Sequence, residues 1–308
     1  MSRKLKPVIV FIVGPTAIGK TNLAIKLAKR INGEIISADS MQVYKRMRIL
    51  SQAPTIAERS AVRHHLVAVL DPSTAYNVNA FRKKATEAIR NIIRRGKVPI
   101  VVGGSGLYIK ALTDGLFPSP EADMVFRRKT ERFIKKYGSA IAHKKLVGID
   151  PNSAVRIHPN DARRIIRALE LHHVTGKTMT ELKADTRGLK DEFQVTLFGL
   201  IRPREHIYKL IEKRVDSMFV SGVVREVKLL LNRRISKTSS ACLGLKEVAG
   251  YLKGEYDLEK AKEILKMNTR RFAKRQLTWF RANRDIRWID LKRTSSQKVL
   301  SIMAKEVK

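Results

Sequence analysis

One octapeptide constrains this chain more than any other feature. Gly14-Pro15-Thr16-Ala17-Ile18-Gly19-Lys20-Thr21 is a complete G-x-x-x-x-G-K-[ST] match. The run before it, Pro7–Val13, is continuously apolar, the pattern of a strand buried on both faces. The stretch after it, Asn22–Ile31, sets Leu23, Ile25, Leu27 and Ile31 among Lys26, Lys29 and Arg30, a helical pattern. In a strand–glycine loop–helix unit, backbone N–H groups and the helix N-terminus converge on phosphate oxygens. Lys20 can reach those oxygens, and the Thr21 hydroxyl can bind Mg²⁺. The loop accepts a di- or triphosphate without specifying which.

The alternation continues. Glu34–Ala38 reads as a second strand ending at Asp39, Phe81–Arg95 as a helix, and Val98–Val102 as a third strand ending in Gly103-Gly104-Ser105-Gly106. This order predicts an α/β fold with a parallel-sheet core. After the Gly- and Pro-containing stretch 114–120 the chain turns helical and charged to about Asp191. Phe193–Ile201 returns to strand character, Pro203 stops it, and the remainder reads as helical and basic. The expected organisation is a P-loop α/β core over 1–115, a helical insertion domain over 116–192, and a core strand with basic C-terminal helices over 193–308. Beyond Leu291 the tail carries no readable motif.

Charge narrows the partner. Sixty-three Lys and Arg face 28 Asp and Glu among 308 residues, a net +35. Such a surface calls for a polyanion, nucleic acid first and an anionic membrane second. No apolar run approaches the ~18 residues of a membrane span. The apolar stretch behind the basic start runs into the glycine loop rather than a cleavage site. A cytoplasmic protein without membrane association is expected. The single cysteine, Cys242, excludes an intrachain disulfide. His64 and His65, if on a strand, point to opposite faces, so a structural zinc site is not expected.

Asp39 closes a strand at the edge where ligands of open α/β sheets bind. It could be a Mg²⁺ ligand, a general base, or the N-cap of a following helix. Gly103–Gly106 could be a second phosphate loop or a tight strand-to-helix turn. Two basic segments stand apart. Asp161–Glu170 places Arg163 and Arg167 on one helix face beside Arg164. Thr269–Arg287 interleaves seven Arg and Lys with Phe272, Trp279 and Phe280. Cations mixed with aromatics suit phosphate contacts and stacking on unpaired bases. They equally suit an amphipathic helix whose aromatics face a core. A small-molecule kinase would share the loop without needing the charge; an RNA-binding protein with a vestigial loop would need no intact Lys20, Thr21 and Asp39.

Taken together, the motifs resemble the tRNA dimethylallyltransferase (tRNA isopentenyltransferase) family. They run in order: GPTAIGKT at 14–21, ISADSMQVYK at 36–45, HHL at 64–66, GGSGLYIKAL at 103–112, RRIIRALE at 163–170, RVDSM at 214–218, ACLGLKE at 241–247 and TRRFAKRQLTWFR at 269–281. The resemblance covers about Pro7 to Leu291. It implies transfer of a dimethylallyl group from dimethylallyl diphosphate to the exocyclic amine of the adenine 3′ of the anticodon, by a monomer using Mg²⁺. The loop, Gly14, Pro15 and Thr16 to Thr21, then holds a prenyl diphosphate rather than ATP, with Arg214 a further diphosphate ligand. Asp39 contacts the target adenine and serves as base, in a catalytic set with Lys20 and Thr21; Ser40, Met41 and Gln42 line the same contact. Ser105 stands for the family's usual Thr. The anticodon stem-loop of the tRNA is implied to meet Arg127; Arg163, Arg164, Ile165, Ile166 and Arg167; Ala241, Cys242, Leu243, Gly244, Leu245 and Lys246; and Lys274, Arg275, Gln276, Leu277, Thr278, Trp279, Phe280 and Arg281. One stretch departs. Where the family reads close to GMDIGTAKP, residues 46–54 read RMRILSQAP, with Ser51 in the place of the Thr.

Overall fold

The uninterrupted apolar run predicted as the first strand sits at the centre of the sheet. In β1 (Val8–Val13), Ile9 through Val13 have no solvent exposure. The structure, a computed structural model, describes residues 6–117, 120–184 and 186–307; the basic start Met1 to Leu5, and Pro118 and Ser119 of the Gly- and Pro-containing stretch, lie outside the described residues. The other strands are β2 (Gly33–Ser37), β3 (His64–His65), β4 (Val98–Gly103), β5 (Gln194–Ile201) and β6 (Ile286–Asp290). They form one parallel sheet in the order β3-β2-β4-β1-β5-β6. The chain is therefore an α/β protein, as its strand–helix alternation requires.

Register decides what the strand ends can do together. Val13 pairs with Gly103 on one side and Gly199 on the other, and Ser37 pairs with Val102. The glycine loop after β1, Asp39 after β2 and Gly104 after β4 thus leave the sheet along one carboxyl edge. The helix Lys20–Arg30 packs Leu23, Ala24, Leu27 and Ala28 inward.

Contacts divide the chain into two compact units, one of residues 1–113 and 192–308, the other of residues 114–191. The second unit has its own small core. Ala142, Leu146, Ala154, Ile157, Ile165, Ala168 and Leu169 are buried, with Phe126, Phe133 and Ile134 packed against them. Within it Glu170 is fully buried. Its carboxylate accepts two hydrogen bonds from Arg127, both 2.8 Å, one from Arg167, and one from the Asp123 backbone N–H.

The C-terminal region differs from the helical expectation. The helix Leu258–Arg281 ends, and Ile286–Asp290 joins the sheet as its edge strand, Leu197 opposite Ile286. The tail then forms the helix Ser296–Lys305, which buries Val299, Met303 and Ala304. A five-residue strand with Arg287 inside it carries too little hydrophobic pattern to stand out next to a basic helix. At the opposite edge, His64 and His65 form β3. The His65 ring bonds the buried Glu34 carboxylate at 2.7 Å, which also takes Arg95 and Lys97.

Candidate active site

The carboxyl edge of the sheet opens into a cavity of about 260 Å³. Thr16, Ala17, Ile18, Gly19, Lys20 and Thr21 line it, as do Asp39, Gln42 and Arg214. Gly19 takes φ 97, a left-handed conformation that turns the loop into its helix. Gly14 and Pro15 contribute carbonyls instead, which accept hydrogen bonds from Lys20 Nζ at 2.9 and 2.7 Å. Arg214, from the helix Arg204–Val220, donates to Thr16 Oγ1 at 2.8 Å. Burial, then the neighbouring Arg214 charge, draws the Lys20 ammonium down to about 7, with Asp39 opposing. Burial also lowers Arg214, again opposed by Asp39. Two cations confined in one buried space, with Asp39 the carboxylate that opposes both shifts, form a site electrostatically suited to a polyanion.

Asp39 does not cap a helix. Its Oδ1 accepts from the Met41 N–H at 2.8 Å and the Gln42 N–H at 3.4 Å, which closes a turn and fixes the carboxylate at the cavity wall. Gln42 is held by Ser37 Oγ at 2.8 Å and by the Gln52 carbonyl. Ser40 and Met41 are half-buried in the turn, outside the cavity lining. The cluster after β4 is a strand-to-helix turn. Ser105 C=O accepts from Tyr108 and Ile109 N–H at the start of the helix Gly106–Thr113.

Gln276 is reassigned. It was expected to meet RNA, yet it is buried and its Oε1 accepts from the Thr16 N–H at 2.8 Å. Its Nε2 donates to Gly104 C=O at 3.0 Å. A Cβ on Gly104 would overlap this carboxamide, so a larger residue there would displace the Gln276 side chain from its place. Its neighbour Phe272 also lines the cavity. Neither role is legible in a basic helix, where Gln276 reads as one more polar residue.

Other expected RNA contacts divide by burial. Ile165, Ile166, Cys242, Leu245 and Phe280 are buried, and Gly244 is packed against Leu50, so these shape the backbone and present no side chain to a partner. The charges of Arg127 and Arg167 are engaged by Glu170. Leu243 and Leu277 are half-buried. Exposed are Arg163, Arg164, Ala241, Lys246, Lys274, Arg275, Thr278 and Arg281, and Trp279, which lies over Gly106 and keeps 40% exposure. Sequence reasoning also missed Glu226. Its carboxylate accepts from the Ile49 and Leu50 N–H groups at 3.0 and 2.8 Å, anchoring the short helix Arg48–Ser51 in the divergent stretch.

Among the described residues, no cluster of three His, Cys, Asp or Glu could hold a metal, and no helix is long and apolar enough to cross a membrane. A P-loop on a parallel sheet, with a carboxylate and a second cation facing it, defines an α/β protein that handles a phosphate ester or anhydride. The profile of the family described as IPP transferase matches residues 42–283. The chain is 45% identical over 300 residues to a tRNA dimethylallyltransferase of Halothermothrix orenii, covering 96% of this chain and 92% of that one. It is 46% identical over 301 residues to one of Carboxydothermus hydrogenoformans, covering 97% and 96%. The crystal structure of the full-length tRNA isopentenylpyrophosphate transferase from Bacillus halodurans superposes with TM-score 0.70 at 39% identity, covering 98% of each chain. A eukaryotic dimethylallyltransferase captured acting on tRNA superposes with TM-score 0.78 at 30% identity, covering 98% of this chain and 79% of that one. The chain belongs to the IPP transferase family.

Proposed function

We propose that the chain transfers a dimethylallyl group from dimethylallyl diphosphate to the N6 amine of the adenine 3′ of the anticodon in tRNA, releasing diphosphate. The observation that carries this reading is Asp39 on the wall of the same cavity as Lys20, Thr21 and Arg214. A kinase reading has no comparable use for a charge of +35.

The loop N–H groups, Lys20 and Arg214 take the diphosphate and stabilise the charge that builds on its oxygens as the C1–O bond breaks. Thr21 and the phosphate oxygens would hold Mg²⁺, an ion that keeps several waters and needs few protein ligands, which suits the Thr21 hydroxyl with Asp39 on the same cavity wall. When bound, Mg²⁺ supplies further neutralisation of the leaving group. The exocyclic amine is a weak nucleophile because its lone pair is delocalised into the ring. As its nitrogen bonds C1, Asp39 takes the departing proton. The adenine must leave its stack to reach the cavity. Exposed cations on each unit, Arg163 and Arg164 on one and Lys274, Arg275 and Arg281 on the other, are read as phosphate contacts. The working unit is taken as one chain, in the cytoplasm where its substrate is found.

Mass spectrometry of nucleosides from tRNA incubated with the protein, Mg²⁺ and dimethylallyl diphosphate tests this. A dimethylallyl group on adenosine is expected. Unmodified tRNA alongside ATP turnover would replace the reading with a kinase.

A further inference from the structure

The short helix Arg48–Ser51 has no cap of its own. Met47, the residue before it, makes no capping side-chain hydrogen bond, and its first residue is a cation, Arg48, with no acid in the turn. Unmet N–H groups and a positive charge at a helix start both work against the helix. Only Leu50 buries its side chain, and a helix this short does not hold by itself. Glu226, on the helix Val223–Leu231, supplies the missing cap. One carboxylate oxygen accepts from the Ile49 N–H at 3.0 Å and the other from the Leu50 N–H at 2.8 Å.

The other end of the same helix meets the cavity, where Ser51 and Gln52 line the wall. Gln52 ends the helix in a left-handed conformation, φ 51, with its N–H on the Arg48 and Ile49 carbonyls. A side chain keeps such a backbone only where its surroundings enforce it, and here the enforcing element is the helix. In that conformation the Gln52 carbonyl accepts from Gln42 Nε2 at 3.2 Å. The oxygen of the same carboxamide accepts from Ser37 Oγ on β2 at 2.8 Å. Gln42 is thus held from both sides, and its backbone N–H reaches Asp39 Oδ1 at 3.4 Å. Glu226 is outside the cavity lining and Asp39 is in it, yet an unbroken series of covalent and hydrogen bonds joins them.

We infer that Glu226 is a positioning residue for the transfer. By capping the helix Arg48–Ser51 it sets the Gln52 carbonyl, and through Gln42 it sets the Asp39 carboxylate where the amine proton is received. This role rests on the prenyl transfer proposed above and changes none of its bonds: C1–O breaks, N6–C1 forms, and the proton passes from N6 to Asp39.

A double-mutant cycle tests it, read in single-turnover transfer with protein in excess over tRNA and with dimethylallyl diphosphate saturating. Glu226→Ala should lower the rate constant roughly tenfold, the scale of a lost hydrogen bond to a charged acceptor, while tRNA affinity and donor KM change less than about twofold. In a Gln42→Ala background the series is already cut, so Glu226→Ala should there change the rate constant less than about twofold. A single-turnover rate constant is independent of the fraction of protein that is folded, so partial unfolding does not imitate the loss. If Glu226→Ala yields no folded protein, Glu226→Gln, which keeps the volume and one acceptor oxygen, takes its place in the cycle with the same coupling expected. An unchanged rate constant overturns the inference. So does a loss that multiplies undiminished on Gln42→Ala, the result of a purely structural role, and so does a loss confined to tRNA affinity or donor KM. In each of these cases the wild type still transfers the prenyl group, and that reading stands. A wild type that transfers none overturns both.

Discussion

The Gln276 carboxamide accepts a hydrogen bond from the Thr16 N–H at 2.8 Å, joining the glycine loop to a helix 260 positions away. The same side chain donates to Gly104. One residue thereby locks the loops after β1 and β4 against each other at the carboxyl edge of the sheet. Gln276→Leu keeps the volume and removes both bonds. We expect kcat/KM for the donor to fall roughly tenfold or more, the scale of leaving a buried backbone donor unmet. tRNA affinity, measured by filter binding, should change little.

Asp39 has two tasks that a substitution can separate. Its Oδ1 closes the turn through the Met41 and Gln42 N–H groups. Asp39→Asn retains that acceptor and removes the base, so the turn survives and turnover should drop at least ~10²-fold with both substrates still bound. Single-turnover rates close to wild type would remove Asp39 from the proton transfer.

Lys20 and Arg214 crowd two positive charges into the loop, and burial together with Arg214 lowers Lys20 to about 7. A bound diphosphate answers both. Arg214→Ala also removes the bond to Thr16 Oγ1. A rise in donor KM of roughly tenfold or more is expected, on the scale of a lost bond to a charged group. Steady-state kinetics with tRNA saturating measures it; an unchanged KM would remove Arg214 from the donor site.

Glu170 supports the helical unit. Burial works to raise its carboxyl pKa, but hydrogen bonds from Arg127 and Arg167, with their charges, outweigh that and hold it below the usual carboxylate value. A depressed folded-state pKa means the stabilisation is complete above the unfolded value of about 4.3 and is lost as pH falls below it. Glu170→Ala leaves two arginines without their buried partner and should cost about 3 kcal/mol. Hydrogen exchange of the helix Ala162–Thr175 should show the loss at neutral pH, and the wild-type and variant protection should converge in acid.

Arg281 is exposed at the end of its helix, beside the half-exposed Trp279. If it meets a phosphate, Arg281→Ala weakens tRNA binding and flattens the slope of log affinity against log salt by roughly 0.7–0.9. Donor KM and melting temperature should hold. An unchanged slope would make Arg281 a solvated charge.

The glycine loop, its flanking strand and helix, and the position of Asp39 were legible because each is a local pattern. Strands β1 and β4 announce themselves as apolar runs, β5 as a largely apolar one and β2 as a short apolar stretch ending at Asp39; β3 and β6 are short edge strands with His or Arg in them and do not. The basic segments were legible as charge but not as roles. Arg127 and Arg163 are the same residue type in the same unit, yet one is tied to Glu170 and the other is exposed.

By itself the sequence determined what contiguous residues can specify: a phosphate-binding turn, the strands and helices whose periodicity buries one face, and a surface charge that seeks a polyanion. Only the tertiary structure decided which distant side chains meet that turn. Arg214, Gln276, Ser51 and His64 converge on one cavity from four separate elements. Their convergence follows from sheet register and helix packing, which are set by burying apolar surface across the whole unit. No spacing within the chain encodes those distances.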